Sequence, residues 1–344
     1  MLSVMSIISS MTVGRSSRSA AGPFVPYDGS PSVVALGGGH GLAASLQALR
    51  RVTTRPTAIV TVADDGGSSG RLREELGVLP PGDLRMALAA LCDDSDWGRL
   101  WRDVLQHRFA SEGALDRHAV GNLLIVALWE ILGDPVAGLD WVGRLLGARG
   151  RVLPMAAVPL RIEADVVGPD GSTRLVDGQS HVAVAKGRIA HVRLDPPKPP
   201  ACPEALTAVR QADVVVLGPG SWYTSVLPHL LVPELHEALA TSRARTIVTL
   251  NLQPERIGET IGMPVTDHLA ALTAHAPDLR IDAVVVDPGA VEDVDVLAGQ
   301  CAAVGARMLM RQLGRGDGTA QHDPLRLAAA YRDVVDGFYG DVRP

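Results

Sequence analysis

Within eight residues, Asp64-Asp65-Gly66-Gly67-Ser68-Ser69-Gly70-Arg71 gathers two carboxylates, two hydroxyls and a guanidinium, and Arg73 follows directly. Guanidinium forks suit phosphate oxygens, and Ser68 and Ser69 can add hydrogen bonds. Two acids beside an anion site call for a cation between them, and magnesium is the hard ion that oxygen ligands select. Asp64 and Asp65 are therefore the candidate metal ligands. The same letters also fit a plainer structure, an Asx-turn at Asp64 and a helix capped by Ser69.

A second candidate is Gly37, Gly38, Gly39 and Gly41, with His40 as the bulky side chain among them. Glycines let a ligand approach the backbone, and the free N–H groups of a helix start attract anions. Gly39, Gly41 and Ala44 satisfy G-x-G-x-x-A, whereas no Gly-Lys-Ser/Thr triplet of a P-loop follows. A third turn, Gly218, Pro219, Gly220 and Ser221 with Thr224 and Ser225, repeats the design. It lacks the second glycine of a serine-nucleophile elbow. Trp222 or Tyr223 could cover a base or sugar ring, or simply pack. Asn122 at a helix start, Asn251 at a strand end, and the turn Gly258, Glu259, Thr260 complete the candidate ligand-binding set. Asp83 and Arg85, after the break Pro80-Pro81-Gly82, serve equally as ligand contacts or as a helix cap and a surface charge.

These residues need buried strands that end at them. Val33–Leu36 is an unbroken apolar run, the pattern of a parallel strand covered on both faces, and Ala58–Val62, Val214–Leu217, the run RTIVTL, IDAVVVD and RMLM read as further strands. Open sheets of that kind bind ligands beyond the strands' carboxyl ends. Helical periodicity marks Trp97–His107, Val120–Leu132, Val136–Leu146, about Thr266–His275 and Pro324–Val335, with Trp97, Trp101, Trp129 and Trp141 expected in the seams. From Arg151 to about Pro200 short β-like runs and the Asp170-Gly171 turn read as hairpins, ended by a proline-rich linker. The fold class expected is α/β, a Rossmann-like, mostly parallel sheet flanked by helices, with a small inserted β subdomain. The divisions are an extension over 1–30, a first half over 31–150, the insert over 151–200, and a second half with a closing helix over 201–344.

Composition narrows the function classes. A chain of 344 residues with net charge −6 and no basic stripe interleaved with aromatics is no nonspecific nucleic-acid binder. Three scattered cysteines and ten unclustered histidines write neither a disulfide framework nor a zinc site, and they point to a reducing cytoplasm. The serine-rich start has an apolar patch, Val4–Ile8, too short to span a bilayer; Met5 and Met11 are alternative starts. No later stretch suits membrane insertion.

GGGHGLA, VADDGGSSGRLR, PPGDLRMAL, HAVGNLLI, LGPGSWYTSVLPHLLVP and the GET turn follow one another in an order that resembles the bacterial gluconeogenesis factor family. That family is the nucleotide-sugar-binding branch of the superfamily containing 2-phospho-L-lactate transferase. The resemblance covers Ser32 to about Val291. It implies a cleft for UDP-sugars such as UDP-N-acetylglucosamine and a regulatory role in carbon partitioning, envelope precursor supply and cell shape. It also implies a homodimer, with protein partners unknown, and no required cofactor, magnesium remaining open. By motif match the glycine-rich opening and the GPGS turn would hold the diphosphate, with Asn251 and the GET turn near the nucleotide. His40 stands where the family often has Thr, Met86 where Asn is common, and NLQPERIGET alters a turn that usually holds a Thr-Gln pair; these bear on ligand preference.

Two other readings belong to other classes. A transferase would move a phospholactyl group onto a deazaflavin, with magnesium on Asp64 and Asp65 and Arg71 neutralising developing charge. An NAD-dependent oxidoreductase would rest on G-x-G-x-x-A and use Asp64 on a ribose, although the residues right behind Asp64 are unusual for that role.

Overall fold

The computed structural model describes residues 29–252, 259 and 263–339. Most of the expected N-terminal extension, with Met5 and Met11, lies outside the described residues. The first half runs β1 (Ser32–Gly37), α1 (Gly39–Leu49), β2 (Arg55–Val60), α2 (Gly67–Leu76), α3 (Gly82–Leu91), α4 (Asp96–Gln106), α5 (Val120–Leu132), α6 (Pro135–Leu145) and β3 (Arg151–Pro154). The insert holds β4 (Arg161–Val167), β5 (Thr173–Asp177), α7 (Gln179–Val182) and β6 (Arg188–Asp195). The second half follows with α8 (Pro203–Arg210), β7 (Val214–Leu217), α9 (Pro233–Ala240), β8 (Arg245–Thr249), α10 (Val265–His275), β9 (Ala283–Val286), α11 (Val294–Ala303), β10 (Arg307–Met310) and α12 (Pro324–Asp336).

Seven strands form one parallel sheet in the order β10-β9-β8-β7-β1-β2-β3. Its central strands are buried along nearly their whole length, which is why they read as continuous apolar runs. On its helical faces, α1 packs with α3 and α12, and α8 packs with α9. The chain first winds from β1 outward to β2 and β3, then returns to β7 on the other side of β1 and winds away through β8, β9 and β10. The winding reverses between β1 and β7. Beyond the carboxyl ends of such a strand pair lies a crevice that no crossing connection fills.

The expected fold class stands, with three adjustments. Arg151–Pro154, read as the first run of the insert, pairs in parallel with β2 and is an edge strand of the main sheet. The antiparallel sheet is therefore smaller, β5-β4-β6. The second strand starts and ends earlier than the apolar run suggests, at Arg55 and Val60. Trp129 is buried, but Trp97 and Trp141 are more than half exposed; helical period marks a face without saying whether anything covers it. The closing helix α12 does pack on α1, in the first half.

Candidate functional site

The crevice between β1 and β7 is bounded by two glycine turns in contact. A Cβ on Gly41 would overlap the Pro219 carbonyl oxygen and sit 2.7 Å from the Gly220 Cα, so only glycine lets the second turn lie on the start of α1. Gly218 and Gly220 have φ of +74° and +144°, conformations L side chains rarely adopt, and the Gly218-Pro219 bond is cis. Asn251 brackets the turn: its Oδ1 accepts from the Gly220 N–H at 3.0 Å and its Nδ2 donates to the Gly220 carbonyl at 3.0 Å. From beneath, Ser45 Oγ donates to the Gly218 carbonyl at 3.1 Å and meets the buried Tyr331 hydroxyl of α12, which also meets Thr249.

Helix α1 begins at this contact with no side-chain cap. Asp83 takes the Gly39 amide, and the remaining first-turn amides carry the positive end of the helix dipole. His40 stands exposed on the rim. Asp83, in the first turn of α3, projects to the same place: a Cβ on Gly38 would sit 2.5 Å from its Oδ2, and it takes the Gly39 amide. The N-cap of α3 is Pro81, so Asp83 is freed from capping. Burial, reinforced by the nearby Asp64 charge, pushes the Asp83 carboxyl up to about 7. Asp64 is also raised, chiefly by burial, against hydrogen bonds from Ser69 and the Gly66 amide. Gly82 lies between them, where a Cβ would come 2.6 Å from Asp64 Oδ2.

Asp65 turns the other way. Its Oδ1 accepts from the Ser180 N–H at 2.9 Å, at the start of α7, and ties the small sheet to the crevice. Gly66 and Gly67 shape the bend into α2, whose N-cap is Gly66; Ser69 thus lies inside the helix rather than capping it. Arg71 is committed to the carbonyls of Ala114 and Asp116, and Arg73 to that of Leu160. Ser68 is buried and accepts from the Ala119 amide and from Asn122 Nδ2 at 3.0 Å. With both acceptor sites used, its proton goes to His118 Nδ1, 3.0 Å away, which sets the neutral imidazole with its proton on Nε2. Asn122 Oδ1 accepts from Arg85 Nε at 2.9 Å. Ser68 and Asn122 therefore position a neighbour, Arg85, which is buried at 3% exposure.

In the third turn, Ser221 is half-buried, while Thr224 and Ser225 are buried. Ser225 Oγ faces the first turn, 3.3 Å from where a Cβ on Gly38 would be. The Tyr223 and Thr224 amides are occupied by Glu259 Oε1 at 2.7 and 3.3 Å, so that turn carries its own carboxylate. Trp222 is fully buried and stacks on His268 at 5.1 Å, in the core rather than the crevice. Gly258 and Thr260 lie outside the described residues.

The structure thus brings together Gly37–Gly41, Asp64, Gly218, Gly220, Ser225 and Asn251, and adds Asp83 and Arg85. The signal for those two was an acid and an arginine two positions apart behind Pro-Pro-Gly, a pattern that a surface helix start shares. Among the described residues no three His, Cys, Asp or Glu side chains gather as a metal-holding group. Two carboxylates suffice where phosphate and water complete the shell of magnesium. A groove of about 790 Å³ lies at the opposite, amino end of the sheet between β2, β3 and α8, lined by Arg55, Arg151 and Gln211 among others. It contains neither the contacting glycine turns nor the buried charges, so the chemistry singles out the carboxyl end.

The family model of 2-phospho-L-lactate transferase CofD matches residues 33–303. The "Putative gluconeogenesis factor" of Mycobacterium leprae is 52% identical over 313 residues, 89% of this chain and 87% of that protein. The gluconeogenesis factor of Bacillus subtilis is 40% identical over 263 residues, 76% of this chain and 80% of that protein. A crystal structure of a UPF0052 family member from Bacillus halodurans matches with a TM-score of 0.78 at 35% identity, covering 87% of this chain and 98% of that chain.

Proposed function

The chain belongs to the CofD family and, within it, to the gluconeogenesis factors, and from that membership we propose that it is a regulator that binds a nucleotide sugar of the UDP-N-acetylglucosamine class. The observation that carries the reading is the contact of Pro219 and Gly220 with Gly41 at the winding reversal, beside the start of α1. Such a crevice suits a diphosphate, whose charge the α1 amides meet. Asn251 acts by holding the Gly220 turn in place. The nucleotide would lie toward Glu259. The regulator works in the cytoplasm as a homodimer, through protein partners, on carbon partitioning, envelope precursor supply and cell shape. No helix among the described residues is long and apolar enough to cross a membrane.

Magnesium, where it binds, would rest on Asp64 and Asp83 rather than Asp65, and would offset diphosphate charge. Asp83 feels the Asp64 charge, so these two carboxyls face a common space, whereas Asp65 is turned toward Ser180 of the small sheet. The same pair favours one second reading, a phospholactyl transferase acting on a deazaflavin, because a carboxyl near neutrality can serve as a general base. Calorimetric titration of the purified protein with UDP-N-acetylglucosamine, with and without magnesium, and with a deazaflavin in competition, separates them. Saturable UDP-sugar binding without turnover supports the regulator. Deazaflavin binding with no response to the UDP-sugar moves the protein to the transferases.

A further inference from the structure

Arg85 is the most deeply buried arginine in the candidate site, at 3% exposure, and among the described residues no carboxylate lies within ion-pair distance of it. Of its five donors, the Nε hydrogen alone has an acceptor among the described residues, Asn122. Nη1 is sealed from water and has no acceptor among the described residues. A charged donor sealed from water without an acceptor carries a desolvation cost, which an oxyanion partner would offset.

The surroundings are built to keep it there. Asn122, Ser68 and His118 form a chain of hydrogen bonds, and Asn122 Oδ1 at its end orients Nε. Gly121 makes room for the stem: a Cβ there would come 2.9 Å from Arg85 Cδ and 2.8 Å from Leu105 Cγ. Three elements, α2, α3 and α5, thus converge to hold a guanidinium whose two amino groups have no acceptor among the described residues. Asp64 and Asp83 are close enough to feel its charge but do not bond it. A planar fork whose two amino groups have no acceptor among the described residues matches two oxygens of one oxyanion.

We propose that Arg85 is the receptor for an oxyanion of the phosphate class, which enters beside Asp83 and engages the Nη1 and Nη2 amino groups as a fork. Its identification with a phosphate of the nucleotide diphosphate rests on the nucleotide-sugar reading; the receptor itself does not. Asn122 and Ser68 are then positioning residues for that fork.

The test uses the full chain and two probes, inorganic pyrophosphate and UDP-N-acetylglucosamine, titrated into wild type, Arg85→Lys and Arg85→Gln, with thermal melting to follow the fold. Wild type binds pyrophosphate saturably, Arg85→Gln weakens it about tenfold or more, and Arg85→Lys falls between, because the lysine keeps the charge and loses the fork. A merely structural arginine would lose affinity to the same extent in both variants. Should Arg85→Gln fail to fold, Arg85→Lys decides alone, since wild-type affinity there overturns the proposal. Absence of pyrophosphate binding to wild type up to millimolar concentration, or equal affinity in Arg85→Gln, also overturns it. Pyrophosphate binding that depends on Arg85, with no response to UDP-N-acetylglucosamine, keeps the receptor and removes the nucleotide-sugar reading. Binding of the UDP-sugar that is indifferent to Arg85 does the reverse.

Discussion

At the scale of single residues, contact distances decide what each glycine does. Gly41 has ordinary helical dihedrals, and what excludes a side chain there is the backbone of Pro219 and Gly220. A Gly41→Ala variant must push that turn off α1, at a cost of roughly 1–3 kcal/mol for overpacking. Its melting temperature should fall, and its affinity for UDP-N-acetylglucosamine should drop at least about tenfold; wild-type affinity in a folded Gly41→Ala protein would separate the turn contact from the ligand. Polar residues were harder to read than glycines. Whether Ser68 faces a ligand or a neighbour depends on His118 and Asn122, which approach from about fifty positions away. Asp64 and Asp65 are adjacent in the chain, and yet one faces Asp83 and the other the small sheet.

Elements were legible where local physics dominates. The helix Val120–Leu132 ends where the periodic pattern does because Gly133 supplies a left-handed C-cap, φ +64°. The central strands were legible because burial on both faces leaves no polar position to interrupt them. The membership of Arg151–Pro154 was not, since an edge strand of four residues looks alike in either sheet, and its pairing with β2 is a long-range choice. The turn at Gly218–Gly220 was visible as a motif. Its support was not: Asn251 lies after the next strand, and Tyr331 comes from the last helix. Glu259, expected near a nucleotide, takes two amides of that same region. The site is therefore assembled from both halves of the chain.

At the scale of the molecule, the core carries three histidines, His229, His268 and His322, that burial holds down to about 4. Between about pH 6.5 and about pH 4 the unfolded chain binds protons that these folded histidines refuse, so their contribution to stability is intact above about pH 6.5 and is lost as pH falls through that window. Asp83, raised to about 7, works the other way over much of the same range, because the folded state holds its proton more tightly. The histidines outnumber it, and the melting temperature should fall from about pH 7.5 to about pH 5. His268 has no partner on either ring nitrogen among the described residues and stacks on Trp222, so His268→Phe keeps the stack and removes one titration. Thermal melts at both pH values should show a smaller acid loss in that variant; an identical loss would mean that His268 does not govern acid stability.

The central claim is that a nucleotide sugar binds where the winding of the sheet reverses. Amide hydrogen exchange with and without saturating UDP-N-acetylglucosamine tests it most directly, because it reports where binding occurs as well as whether it does. The account predicts slower exchange at residues 37–42 and 218–226, with little change along the amino-end groove near Arg55, Arg151 and Gln211. Protection confined to that groove, or none at either glycine turn in the presence of bound ligand, would contradict it.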